Sequence, residues 1–215
     1  SKEREPIMKK KYCLIGAVCI SLLVLFLESM TLHAQEKSAR LTCKSMTVQK
    51  GQYALIGLKG VADLAKVKWS VTGKAVKIHE IDRDGCCSIK AVRTGTGTVK
   101  CAVNNKIRKC RVKVVADHAW IGDFTDAQEE VHLRIYKNDK KYVAFYGQYR
   151  LAQMDWLTGT VKNGVLLLEG TDPADHPITV TLAQEGSKWM FTFQKTSWEY
   201  FNQGSTISLK KYNRV

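Results

Sequence analysis

The stretch that decides the fold runs from L-T-C-K-S-M-T-V-Q-K-G (Leu41 to Gly51) through V-K-W-S (Val67 to Ser70) to T-G-T-G-T-V (Thr94 to Val99) and C-R-V-K-V (Cys110 to Val114). Val67, Trp69 and Val71 alternate with Lys66, Lys68 and Ser70. Val99, Cys101 and Val103 alternate with Lys100 and Ala102, and Cys110, Val112 and Val114 alternate with Lys109, Arg111 and Lys113. An apolar residue at every second position is the pattern of a strand buried on one face. Short runs of this kind, recurring at roughly 8–12-residue spacing with turn residues between them, predict two packed sheets. Asn104-Asn105 suits a hairpin turn between the last two runs, because Asn tolerates positive φ. Gly95 and Gly97 mark a tight approach into the strand at Thr98.

Upstream of this region the sequence reads as an export segment. Ser1 to Ile7 precede the first methionine, so Met8 is taken as the initiator; Lys9, Lys10 and Lys11 then lead into an apolar stretch, Tyr12 to Leu27, closed by Glu28. A basic start followed by an apolar run is a signal peptide's layout. Thr31-Leu32-His33-Ala34 makes Ala34 the expected residue before the cut, leaving Gln35 first. The competing reading is an uncleaved N-terminal anchor, for which a run of about 20 apolar residues is needed. Lipid attachment at Cys19 is a third option, lacking the usual leucine before it. In the first two readings the rest of the chain is exported, and membrane contact comes only through an uncleaved N-terminal segment.

The composition, 45% hydrophobic and 25% charged, is that of a globular protein able to bury a core. The formal charge of +14 is unevenly spread. Residues 35 to 116 hold 18 Lys and Arg against 5 Asp and Glu, whereas residues 117 to 215 hold 11 against 12. That contrast divides the chain into an upstream segment (1–34), a linker (35–40), a basic domain (41–116) and a second domain (117–215).

Residues 41 to about 115 resemble the bacterial immunoglobulin-like group 2 domain. The resemblance rests on the first strand ending in Lys50-Gly51, V-K-W-S with its Trp69, the acidic turn D-R-D-G (Asp82 to Gly85) leading to S-I-K-A (Ser88 to Ala91), the Gly-Thr pairs, and the closing C-R-V-K-V. It departs from the family at Thr72-Gly73-Lys74, where an asparagine-bearing turn is usual. It implies a cell-surface module for spacing or adhesion, with no active site to carry over. In a sandwich of this type the tryptophan strand and the last two strands share a sheet. Lys66, Lys68, Lys100, Lys109, Arg111 and Lys113 would then project from its outer surface. A dense cationic face recruits polyanions, here cell-wall polymer, acidic polysaccharide or anionic lipid headgroups; a surface glycan is a further expected partner. The plainer reading is a solvated lysine face. Nucleic acid is not expected as a partner, since no recognised module accompanies the charge.

Five cysteines follow the export segment: Cys43, Cys86, Cys87, Cys101 and Cys110. In an exported chain they favour disulfides. Alternation points Cys87, Cys101 and Cys110 inward, so a bridge from Cys87 to either Cys101 or Cys110 is open, and the odd count leaves at least one thiol unpaired. Buried free cysteine is the alternative. The spacings do not fit zinc.

Residues 117 to 215 contain no cysteine and fifteen of the chain's nineteen aromatic residues. Short strands punctuated by Asn138-Asp139, Asn163-Gly164 and Glu185-Gly186-Ser187 predict an up-and-down antiparallel meander, closed as a small barrel or curled as a half-barrel. Asn163-Gly164 is the strongest hairpin signal. Trp120-Ile121-Gly122-Asp123-Phe124 resembles, in reversed Gly-Trp order, the first strand of lipocalin-like barrels, and transfers no ligand residues. Trp189, Phe191 and Phe193 share one strand face, with Trp156, Trp198, Tyr200 and Phe201 elsewhere. Exposed aromatic faces are platforms for sugars or apolar ligands, and Trp156, Trp198 and Tyr200 are the candidates. A small barrel filled by its own side chains is the alternative. Trp198-Glu199-Tyr200-Phe201 lies on a connection, where recognition residues concentrate.

Catalytic motifs are missing from the sequence. His79, His118, His132 and His176 fit no metal-helix spacing, Gly-x-Ser-x-Gly is absent, and Thr94-Gly95-Thr96-Gly97 lacks the lysine of a phosphate loop. Asp172-Pro173-Ala174-Asp175-His176-Pro177 reads as a turn rather than a cation site. Asp155 and Glu169 are the carboxylates a hydrolase would need to pair. The sequence therefore predicts an all-β, exported, non-enzymatic envelope or secreted protein without cofactor or metal. The alternative is a lipocalin-like small-molecule binder or an enzyme inhibitor.

Overall fold

A computed structural model describes residues 39–61, 63–103 and 105–212. The expected export segment, most of the linker and Asn104 lie outside the described residues.

Among the described residues, seventeen strands carry the fold. The basic region supplies β1 (Arg40–Leu41), β2 (Ser45–Gln49), β3 (Tyr53–Ile56), β4 (Leu58–Lys59), β5 (Lys68–Thr72), β6 (Val76–Ile81), β7 (Cys87–Ala91), β8 (Gly95–Val103) and β9 (Lys106–Val115). They form a sandwich: β3-β7-β6 is one sheet, and β2-β9-β8-β5 packs over it, with β1 and β4 as a short ribbon at the side. Val99, Cys110, Val112 and Val114 from one sheet, and Ile56, Cys87, Ile89 and Ala91 from the other, are buried in one core. The expected sharing of a sheet by the tryptophan strand and the last two strands holds in β5, β8 and β9. Gly97 shows why a side chain is excluded on β8: a Cβ there would lie 2.9 Å from the Val76 Cγ2 of β6.

The second region supplies β10 (Gly122–Thr125), β11 (Val131–Asn138), β12 (Lys141–Gln148), β13 (Ala152–Lys162), β14 (Val165–Thr171), β15 (Pro177–Glu185), β16 (Lys188–Lys195) and β17 (Thr206–Tyr212). Each pairs antiparallel with the next, and β10 pairs with both β11 and β17, so the meander closes as an eight-stranded barrel. The Asn163-Gly164 hairpin forms as its sequence dictates, with both residues at positive φ (50° and 74°) and Lys162 opposite Val165. The interior is filled. Tyr146 stacks on Phe191 at 5.2 Å between ring centroids, Phe193 stacks on Phe201 at 4.3 Å, and Leu133, Leu166, Leu168, Val180, Leu182 and Leu209 close around them. Trp189, Phe191 and Phe193, on one strand face, are therefore core residues.

The two regions are joined through a shared strand. Because β10 has only four residues, its pairing with β11 stops at Gly122 opposite Ile135, which would leave the far edge of β11 open. β2 fills it: Lys137 pairs with Thr47 and Asn138 with Met46, while the other edge of β2 runs parallel to β9. The barrel and one sheet of the sandwich thus form one continuous sheet of twelve strands.

Polar contacts lock that joint. The Asp139 carboxylate, in the β11–β12 turn, accepts from the Lys44 and Ser45 backbone N–H groups and from Ser45 Oγ. Buried Gln52 donates through Nε2 to the Ile135 carbonyl at 3.1 Å, and the Tyr136 hydroxyl donates to the Leu55 carbonyl at 3.2 Å. Leaving the buried Gln52 amide or Tyr136 hydroxyl unpaired would cost about 1–3 kcal/mol each, so pairing them makes the joint specific.

Candidate functional site

The outer face of β5, β8 and β9 is the most distinctive surface of the molecule. Alternation along β9 places Cys110, Val112 and Val114 in the core and leaves Lys109, Arg111 and Lys113 exposed on the opposite face. Register then puts Lys109 directly opposite Lys100 of β8, with Ser70 of β5 on the other side of Lys100; Lys68 follows on β5, opposite Ala102. Like charges facing each other across a ladder are unfavourable. The module's own acids are off these strands: Asp63 sits in a loop turn, Glu80 on β6 of the other sheet, and Asp82 and Asp84 in the β6–β7 turn; the acid nearest the row is Asp139 of the barrel, whose carboxylate is held by Lys44 and by Ser45, the residue in register with Arg111. Among the described residues no ion pair engages Lys68, Lys100, Lys109, Arg111 or Lys113.

The row continues across the joint. Lys113 is in register with Thr47 of β2, and Thr47 with Lys137 of β11, whose ammonium lies 5.2 Å from the Tyr142 ring centroid. Sequence periodicity missed Lys137, because nothing local says that β2 places it beside β9. His118 lies in the same field. Its burial, with Lys211, Lys137 and Lys113 nearby and only Asp117 opposing, holds the imidazole below its ordinary value.

Lys66 does not belong to this face. The alternation with Val67 and Trp69 places it on the tryptophan strand, but the chain makes a 3-10 turn over Leu64–Lys66 and the strand begins at Lys68. The reason is local: the Asp63 side chain caps that turn by accepting from the Ala65 N–H, and its other oxygen holds Lys66 Nζ at 3.5 Å. Trp69 is half-buried rather than a central core residue, its indole N–H donating to the Gly85 carbonyl.

The aromatic candidates are not gathered into one platform. Trp156 lies within β13, at φ 61°, where the pairing with β12 slips between Ala144 and Tyr146; such a bulge turns a side chain outward. Its ring meets Phe145 edge-on at 5.1 Å on the barrel's outer wall. Trp198 and Tyr200 are on the β16–β17 connection, as their sequence context predicts, and there Trp198 packs edge-on over Phe201 at 4.8 Å. Tyr200 is 58% exposed. No ring contact among the described residues links Trp156 to either of them.

A shallow groove of about 460 Å³ lies on the outer wall of the barrel across β10 to β13, lined by Asp123, His132, Arg134, Phe145, Gln153 and Asp155, among others. Arg134 crosses it as the partner of Asp123, Nε to Oδ1 2.9 Å, and its guanidinium lies 5.9 Å from the Tyr53 ring centroid of the sandwich. Asp155 is held by the Gln153 amide at 3.1 Å, and Glu169 faces Thr158 outside the groove, so the two hydrolase candidates do not meet there. The Asp172 loop is a turn: one carboxylate oxygen accepts from the Ala174 and His176 N–H groups. Among the described residues no group of three or more His, Cys, Asp or Glu could hold a metal, and no helix is long and apolar enough to cross a membrane.

Of the two partners the sequence leaves open for Cys87, the structure gives Cys110 to another cysteine and leaves Cys101 near Cys87. No sulfur–sulfur bond joins any of the five cysteines in the structure, and Cys110 has Cys43 as its neighbour, Sγ to Sγ 3.4 Å, in place of Cys87. Cys87 and Cys101 are both fully buried; burial, with the Cys101 thiol as the next contribution, pushes Cys87 up to about 12.

No family model matches this chain, and no curated protein matches it. Among solved structures it is similar to domains 5–6 of the S-layer protein SbsC, with 14% identity, TM-score 0.37, and 80% of this chain and 95% of that one covered. It is likewise similar to domains 1–6 of the same surface layer protein, with 13% identity, TM-score 0.35, and 83% of this chain and 26% of that one covered. A chimeric titin Z1Z2 structure follows at 13% identity and TM-score 0.24, covering 72% of this chain and 93% of that one. At these TM-scores the likeness carries no functional argument.

Proposed function

We propose that this is an exported, non-enzymatic protein of the cell envelope that holds an anionic polymer, such as wall polymer or acidic polysaccharide, on the outer face of β5, β8 and β9. The reading keeps the basic module as a bacterial immunoglobulin-like spacer and gives its charge a purpose. One observation carries it: Lys100 and Lys109 face each other in register, Arg111 and Lys113 follow on the same face, and none of the module's acids is on β5, β8 or β9. A face needing only solubility intersperses both signs; a cationic row without counter-charges gains when a polyanion supplies them.

The test is charge reversal. Lys109→Glu, Arg111→Glu and Lys113→Glu alter exposed positions on one strand, so the fold should persist while affinity for a teichoic-type polymer or heparin falls by about tenfold or more. Undiminished binding by the folded triple variant overturns the reading.

The barrel wall supports a second, narrower reading, recognition of a surface glycan. The observation favouring it is the groove beside Phe145 and Trp156, where an aromatic face stands next to the carboxylate of Asp155 and the amide of Gln153. The filled barrel interior favours this surface mode over an enclosed small-molecule site, the alternative that a lipocalin-like binder requires.

A further inference from the structure

The Cys43–Cys110 thiol pair sits at the joint between sandwich and barrel. Cys43 occupies the bend between β1 and β2, one residue before Lys44, whose carbonyl accepts from the Arg111 N–H. Cys110 is the preceding residue on β9 and points into the core, opposite in sense to Arg111. The backbone pairing of β2 with β9 therefore brings the two side chains together, with their sulfurs 3.4 Å apart and both residues at most 2% exposed. A disulfide needs about 2.05 Å between sulfurs, about 1.3 Å less than the separation the fold already sets.

We infer that Cys43 and Cys110 form a disulfide that staples β2 to β9 and so fixes the strand on which the barrel is hung. β2 is the only strand of the sandwich paired to the barrel in the described structure, and it contributes just two register pairs to β11. Holding its N-terminal end to β9 stops it from peeling away from both neighbours. The chain between the two cysteines spans 67 positions, a long loop whose closure restrains the unfolded chain strongly.

The oxidant is a disulfide, R–S–S–R, of the kind carried by envelope thiol-exchange proteins or by oxidised glutathione. One thiol loses its proton and attacks, forming a mixed disulfide and releasing one R–S⁻; the second thiol, deprotonated in turn, displaces the other. Two electrons pass to the oxidant, and two R–SH leave with the two protons. In the folded protein the hydrogen bond with Cys43, together with burial, raises the Cys110 thiol far above its ordinary value, so exchange there is slow. The bond forms while β2 and β9 are docking and is then sheltered from reductant.

This inference is independent of polymer binding and is tested without any polymer. The full chain is refolded from denaturant in a mixture of reduced and oxidised glutathione, alkylated under denaturing, non-reducing conditions, digested and mapped by mass. The expected result is a peptide containing Cys43 linked to one containing Cys110. Complete reduction is then expected to lower the melting temperature by roughly 5–15 °C and to speed amide exchange in β2. The double variant Cys43→Ala/Cys110→Ala should show no such reductant-dependent drop; if it does not fold, the wild-type map alone decides. Alkylation of both Cys43 and Cys110 in the refolded protein, or a link from Cys110 to Cys87, overturns the inference.

Discussion

At the scale of single residues, the β16–β17 connection separates recognition from packing. Trp198 lies edge-on to Phe201, which stacks on Phe193 in the barrel core, whereas Tyr200 is 58% exposed. Phe201→Ala should therefore cost about 3–5 kcal/mol, Trp198→Ala about 1–3 kcal/mol, and Tyr200→Ala no more than about 0.5 kcal/mol in denaturant unfolding. Equal, negligible costs for all three would remove Trp198 from the core's edge. His118 gives a pH signature. The Trp120 N–H donates to its Nδ1, which requires the neutral ring, and burial and the surrounding lysines hold the folded imidazole below the unfolded value of about 6.5. As pH falls below about 6.5 the unfolded chain takes up the proton first, so stability contributed by His118 is present above that pH and lost below it. Melting curves between pH 7 and 5 should show a smaller loss for His118→Gln than for the wild type; an unchanged pH slope would contradict the assignment.

Among the elements, β2 matters most, because it alone turns two modules into one sheet. Asp139→Ala removes the acceptor for three exposed donors at Lys44 and Ser45 and should lower stability by about 0.5–1.5 kcal/mol, with faster amide exchange concentrated in β2 and the far end of β11. Exchange that stays uniform would mean the joint does not depend on that turn. Strand existence was legible in the sequence wherever alternation was strict, as in β8 and β9, and where turn chemistry was explicit, as at Asn163-Gly164. The joint was not legible. Nothing in Ser45 to Gln49 announces pairing on two edges, and the need for it arises from the shortness of β10, a property of barrel closure rather than of local sequence. The same holds for Cys43: it lies in a bend before β2, so its partner follows from strand order, not from inward-pointing alternation. Lys66 failed for the opposite reason, since Asp63 imposes a local turn on a residue whose periodicity reads as strand.

For the whole molecule, the charge contrast between the two halves of the chain becomes a spatial one. Of the 18 basic residues behind the +13 of residues 35 to 116, Lys68, Lys100, Lys109, Arg111 and Lys113 share one sheet face on strands that carry no acid, and the near-neutral barrel adds Lys137 at its margin. Because β2 fuses the sheets, that face is carried on a continuous frame rather than on a module free to swing, which suits an extended polymer contacting several cations at once. Such binding releases counterions from the polymer, so its affinity must fall steeply as salt rises. Trp156 and the barrel groove predict the reverse behaviour, since ring stacking on a sugar is weakly dependent on salt. The most direct measurement is the dissociation constant of the full chain for a teichoic-type polymer, taken at about 50 mM and about 200 mM salt. The account predicts a weakening of about tenfold or more over that range, an order of magnitude set by counterion release from several neutralised charges. An affinity unchanged across it would contradict the claim that the cationic sheet face is the binding site.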